Sequence, residues 1–158
     1  MIDPQAYGPE IAGILALAPN EARDAIRRSA LPKLVRAGLY LHFDYWEEAH
    51  ELAQDVETPD GSYWHGIVHR QEPDAANAAY WFQRVGAHPI FPALRARAAE
   101  LGYRTGAHWD PIAFIDYCEN AQAESAEEQI ARDVQRAEWE LLFDYCAREA
   151  KPGAAQTS

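Results

Sequence analysis

Helical periodicity runs through most of this sequence, and no stretch alternates apolar and polar residues as a half-buried strand would. Helix-start and helix-end signals divide that pattern into segments. Asp110 precedes Pro111, a capping residue followed by a proline suited to a first helical turn. Gly86 follows an apolar run that ends at Val85, as a C-terminal glycine does. These features predict an all-α bundle of seven or eight helices.

The chain has 158 residues, which is enough to bury a core that needs no disulfide or metal to hold it. We therefore predict a single all-α domain over residues 1–150. Lys151, Pro152 and Gly153 end the last helix, so residues 151–158 are predicted to form a flexible C-terminal tail.

Two adjacent segments, residues 34–41 and 42–54, are typical of a tetratricopeptide-like helical hairpin, although no second copy follows at a repeat period. Along the second segment and just beyond it, one predicted inward stripe is formed by Tyr45, Ala49, Leu52 and Val56.

Two boundaries complete the secondary-structure prediction. We expect a short helix over residues 9–18. We also expect a turn at residues 58–61, followed by a helix that Ser62 caps.

The balance of charge excludes some partners. Lys and Arg number 14 against 25 Asp and Glu, which gives a formal net charge of −11. Binding to a phosphate backbone requires a basic face that such a chain can hardly supply. We predict neither nucleic acid nor a membrane as partner, and the composition leaves a homo-oligomer open.

Cys118 and Cys146 are the two cysteines, and both lie within helical apolar patterns. We expect two buried free thiols in a reducing compartment, with a bridge between packed helices as the alternative. The apolar run at residues 11–18 is too short to span a bilayer and has acidic rather than basic residues before it. We therefore expect no signal peptide and a cytoplasmic location.

Residues 62–91 concentrate the histidines, tryptophans and paired charges that a functional site requires. On a helix, His65, His69 and Glu72 project within a sector of about 60°. This spacing predicts that they share a divalent metal such as zinc, iron or manganese, with Glu47 or His50 from the preceding helix completing the ligands.

The same residues allow interpretations without a metal. His69, oriented by Glu72 or Asp74, fits a catalytic acid–base pair. The simpler alternative is that His65 or His69 only makes a structural hydrogen bond where helices cross.

A second predicted site needs no metal either. Arginine binds carboxylate or phosphate with a fork of donors, and aromatic rings supply apolar walls. We expect a pocket for a small anionic or aromatic ligand, in a cleft between the helices of residues 46–54, 64–70 and 77–84. The alternative is that Arg70 or Arg84 forms an ion pair with Glu72 or Asp74. The predicted ligand-binding residues are His50, Trp64, Arg70, Asn77, Tyr80, Trp81, Arg84 and His88.

The run Y-W-H-G-I-V-H-R-Q-E-P-D-A-A-N-A-A-Y-W-F-Q-R-V-G-A-H-P-I-F, residues 63–91, resembles a block found in a family of uncharacterised bacterial and fungal proteins. It covers about a fifth of the chain. The resemblance implies kinship with that family, which has no known activity, and assigns no catalytic residue.

The residues thus support two functional hypotheses and do not decide whether the protein is an enzyme. In the first, a small molecule binds in a cleft lined by histidine and glutamate, and a metal assists chemistry there. In the second, the protein is a non-catalytic interaction module in which the histidine-rich block is structural.

Overall fold

The computed structural model describes residues 19–148 and residue 150. Within that part of the chain there are eight α-helices and no strand, which confirms the all-α prediction. The helix predicted over residues 9–18 and the tail over residues 151–158 lie outside the described residues. The helices are α1 (Pro19–Arg28), α2 (Pro32–His42), α3 (Trp46–Gln54), α4 (Pro59–Gln71), α5 (Ala75–Val85), α6 (Phe91–Leu101), α7 (Pro111–Asn120) and α8 (Ala126–Ala147).

Helix α4 lies at the centre of the fold and contacts α2, α3 and α5. Every residue from Gly61 to Arg70 is buried, whereas Pro59 and Gln71 at the two ends of the helix are exposed. Trp64 is fully buried in the larger of two hydrophobic clusters. A Cβ atom added at Gly66 would lie 2.9 Å from Cε2 of Phe82, so glycine allows α5 to approach closely. The smaller cluster surrounds Phe114.

The start of α4 differs from the prediction. Thr58 rather than Ser62 caps the helix, because its Oγ1 accepts a hydrogen bond from the Gly61 N–H at 3.2 Å. Pro59 then occupies the first turn, where proline is tolerated. Ser62 is buried inside the helix. The early start places Asp60 on α4.

Helices α2 and α3 pack against each other as the predicted hairpin requires. Asp44 has a φ of 64°, which ends helical geometry between them. Tyr45 therefore precedes α3 and is 56% exposed, so its predicted inward position is wrong. Ala49 and Val56 are buried as predicted.

Three other predicted caps are confirmed. Asp74 and Asp110 accept hydrogen bonds from backbone N–H groups at the starts of α5 and α7, and Ser125 accepts one from Glu128 at the start of α8. Gly86 follows α5 with a φ of 66°. None of the described helices combines the length and apolar character that crossing a membrane requires.

Cys118 and Cys146 are both free thiols. Cys146 is buried in the larger cluster, where its Sγ accepts a hydrogen bond from Trp64 Nε1 at 3.4 Å. Burial raises the pKa of Cys146 to about 12 and that of Cys118 to about 11. Neither thiol is therefore disposed to act as a nucleophile.

Candidate metal centre

Three imidazoles from two helices meet beside α4. His65 and His69 lie one turn apart on α4, with ring centroids 4.9 Å apart, and His50 reaches them from α3. Nε2 of His50 lies 2.9 Å from Nε2 of His65. One ring nitrogen from each of the three lies within 4.8 Å of the other two, a spacing that could hold a metal ion. We call these residues the three-histidine cluster.

The cluster is largely shielded from water. His65 is 3% exposed and His69 8% exposed, because α3 and α5 cover the side of α4 that carries them. Burial, together with the neighbouring His50 and His69, lowers the pKa of His65 to about 4. Burial also lowers the pKa of His50, as does His69. His50 and His65 are therefore neutral at pH 7, and neutral imidazole is the form that binds a metal.

Glu72 contacts the three-histidine cluster through His69. Its Oε2 is 2.9 Å from Nδ1 of His69, so a neutral His69 donates to the carboxylate and turns its other nitrogen, Nε2, away from it. A carboxylate in this position fixes the tautomer of a metal-binding histidine and increases its basicity. The structure thus places His50 beside both His65 and His69, whereas Glu72 contacts His69 alone.

A second group of potential ligands, His69, Glu72 and Asp74, lies nearer the surface. Both carboxylate oxygens of Asp74 already accept hydrogen bonds from Asn77, at 3.2 Å from its backbone N–H and at 2.7 Å from its side chain. These bonds lower the pKa of Asp74. Asp74 caps α5, which makes the three-histidine cluster the better metal site.

Two tryptophans hold the rings of the cluster. Trp81 stacks on His65 with centroids 3.8 Å apart and planes inclined by 17°. Trp46 stacks on His50 at 5.2 Å and 13°, and its Nε1 donates to the carbonyl of Val68 at 3.1 Å. The cluster therefore has flat, packed supports on two sides, which limit how far the imidazoles can turn.

The cluster opens into a cleft of about 640 Å³ between α3, α4 and α5, the three helices between which the sequence analysis places a cleft. The volume falls within the range of about 300–1,000 Å³ usual for small-molecule sites. The lining residues are His50, Ala53, Gln54, Asp55, Val56, Glu57, Ser62, His65, His69, Trp81 and Arg84.

Arg70 does not line this cleft. It forms a buried ion pair with Glu138 of α8, which also accepts a hydrogen bond from the Tyr63 hydroxyl at 2.8 Å. Burial raises the pKa of Tyr63, and Glu138 raises it further, so the hydroxyl remains a donor. The alternative that Arg70 pairs with Glu72 or Asp74 is wrong, because its side chain turns into the core.

Trp64 and His88 also lie away from the cleft. Trp64 is fully buried, and the side chain of His88 lies 2.6 Å from a carboxylate oxygen of Asp60 and accepts from the backbone N–H of Ile90 at 3.2 Å. These contacts assign both residues to the packing of the fold.

Asn77 and Tyr80 lie on the exposed flank of α5. Arg84 donates to the Tyr80 hydroxyl at 3.4 Å. Of this flank, Trp81 and Arg84 reach the cleft.

Glu138, the partner of Arg70, is not among the site residues predicted from the sequence. The sequence signal that indicates its role is a carboxylate within the apolar stripe of α8, next to the buried Ala137 and Trp139. A charged residue in such a stripe indicates a buried partner.

Comparison of the chain with models of protein families, with curated proteins and with solved structures returned no match. The resemblance of residues 63–91 to a bacterial and fungal family stays a prediction, and any function has to be inferred from the site itself.

Proposed function

We propose that the three-histidine cluster binds a divalent transition metal and that the protein uses it to assist chemistry on a small molecule held in the cleft. The observation that carries this proposal is the convergence of His50, His65 and His69, whose ligand nitrogens lie within 4.8 Å of one another at the base of that cleft. Three imidazoles are a common ligand set of catalytic zinc sites.

The choice of metal follows from the ligand atoms. Imidazole nitrogens suit zinc and iron, whereas magnesium and calcium prefer oxygen. Among zinc, iron and manganese, manganese is the weakest candidate because it accepts oxygen ligands more readily than nitrogen. His50 and His65 are already neutral at pH 7, so metal binding does not have to remove a second proton from either ring.

Three protein ligands leave a coordination position for water or substrate. A metal in such a site lowers the pKa of bound water to about 7 and polarises carbonyl or phosphoryl oxygens. The adjoining cleft has room for a small substrate. The carboxylate of Glu72 would keep His69 in the correct tautomer.

The test is metal analysis of protein purified without a histidine tag. We expect close to one zinc, iron or manganese per chain, and loss of that metal in a His65→Ala/His69→Ala double variant and in His50→Gln. His108→Ala is the matched control, because His108 is exposed and lies outside the cluster. Circular dichroism establishes that each variant remains folded.

The rival hypothesis is an interaction module in which the histidines are structural, and the hydrogen bond between His50 and His65 favours it. In that case the protein is metal-free, does not bind added zinc or iron, and loses stability in His50→Gln. This outcome would overturn the metal proposal.

A further inference from the structure

The charged side chains of the cleft are separated by sign. Asp55 follows the last residue of α3, and Glu57 lies two residues further on. Arg84 lies in the last turn of α5, and it is the one Arg or Lys among the described residues that line the cleft. Helices α3 and α5 both pack on α4 and make no comparable contact with each other. The acidic residues of the cleft therefore follow α3 and its one arginine lies on α5, while the histidines line the same cleft from α3 and α4.

Arg84 has no carboxylate partner within 4.0 Å in the described part of the chain. Its Cζ lies 5.5 Å from the centroid of Trp81, and that ring stacks on His65 at 3.8 Å. The guanidinium therefore lies no farther from the His65 ring than the sum of these two distances. It remains available to a ligand that also reaches the cluster.

Asp55 and Glu57 likewise form no ion pair with a described Lys, Arg or His. A simple anion attracted to Arg84 would meet these two carboxylates, in a protein whose net charge is −11. A simple cation would be repelled by Arg84. A molecule with one charge of each sign at its two ends is complementary to Arg84 and to the two carboxylates.

We propose that the cleft recognises a small zwitterionic amino carboxylate, with its carboxylate at Arg84 and its ammonium group at Asp55 and Glu57. The part of the ligand between these ends then lies in the cleft that the three-histidine cluster lines. The inference rests on the proposed metal function in one respect, which is that a bound metal would face the part of the ligand between its two charged ends. The pairing of charges at the two ends does not depend on the metal.

The experiment uses glycyl-leucine as probe, together with its N-acetyl and C-terminal amide derivatives. Affinity is measured by titration calorimetry on metal-free and on zinc-loaded protein. We expect the unmodified dipeptide to bind at least about tenfold more tightly than either derivative, since each derivative leaves either Arg84 or the two carboxylates without a partner.

Variants assign the two ends. Arg84→Gln should reduce the affinity for the dipeptide and its N-acetyl form and leave that for the amide unchanged. Asp55→Asn/Glu57→Gln should reduce the affinity for the dipeptide and the amide and spare the N-acetyl form. Arg104→Gln is the control, because Arg104 is exposed and does not line the cleft.

The outcomes separate this inference from the metal proposal. Protein that binds no zinc but still prefers the unmodified dipeptide keeps the inference and overturns the metal site. Protein that binds zinc but holds all three probes equally, or none of them, overturns the inference alone. Indifference to Arg84→Gln also overturns it.

Discussion

Replacing Glu138 by glutamine should destabilise the protein more than any surface substitution. The side chains of Arg70 and Glu138 are 3% and 1% exposed, so the guanidinium would lose its counter-charge inside the core. Removing one partner of a buried ion pair costs about 3–5 kcal/mol. Tyr63 would still have an amide oxygen to donate to, so the loss arises mainly from the unpaired charge.

A double-mutant cycle tests that origin. Arg70→Met/Glu138→Leu removes both charges, and well-packed apolar pairs often replace buried ion pairs at little cost. The Tyr63 hydroxyl then loses its acceptor, which costs about 1–3 kcal/mol. We therefore expect the double variant to be less destabilised than either of its two single variants, Glu138→Leu and Arg70→Met.

Urea unfolding followed by circular dichroism gives the free energies. Arg132→Gln is the control, because its ion pair with Glu128 is formed by a side chain that is 70% exposed, and such pairs contribute about 0–1 kcal/mol. A loss below about 1 kcal/mol in Glu138→Gln would refute the reasoning. So would a double variant whose loss equals the sum of the two single losses.

Three further predictions concern the cluster and its helix. The unfolded chain takes up a proton at His65 near pH 6.5, whereas the folded chain does so only near pH 4. The free energy of unfolding, measured in urea, should therefore fall by about 1–3 kcal/mol as the pH drops from 6.5 to 4. His65→Gln should make this free energy less dependent on pH. Gly66→Ala should lower the free energy of unfolding by about 1–3 kcal/mol, since the added Cβ would lie 2.9 Å from Phe82. In the control Gly106→Ala the added Cβ would have no neighbouring atom within 4 Å, so the midpoint of urea unfolding should change little. Glu72→Gln should weaken metal binding about 10–100-fold in competition with a chelator, and unchanged affinity would exclude its positioning role.

Most of the helical architecture could be predicted because its signals are local. Asp74, Asp110 and Ser125 each cap a helix through a backbone N–H two or three residues away, so the sequence alone contains both partners. The prediction failed at Thr58 and Pro59, because threonine followed by proline is compatible with a turn and with a helix start.

In the candidate site, contacts within one helix could be predicted directly, whereas His50 of α3 could be named only as an alternative to Glu47. His65 and His69 were paired correctly because a single turn of α4 separates them. The partner of Arg70 is Glu138, 68 positions away, and helical spacing carries no information about a contact at that separation. Glu72 follows the last residue of α4, where its carboxylate binds Nδ1 of His69 instead of extending the stripe of ligands.

The burial of α4 raises the question of why this helix carries polar side chains such as His65. Nδ1 of His65 is buried without a hydrogen-bond partner among the described residues, and leaving a buried polar group unpaired costs about 1–3 kcal/mol. An apolar side chain at this position would avoid that cost and could still contact Trp81, although it would remove the partner of His50 Nε2. Packing alone therefore does not account for an imidazole here. The ligand role that we propose for the ring would account for it, since binding sites commonly retain groups that lower the stability of the fold.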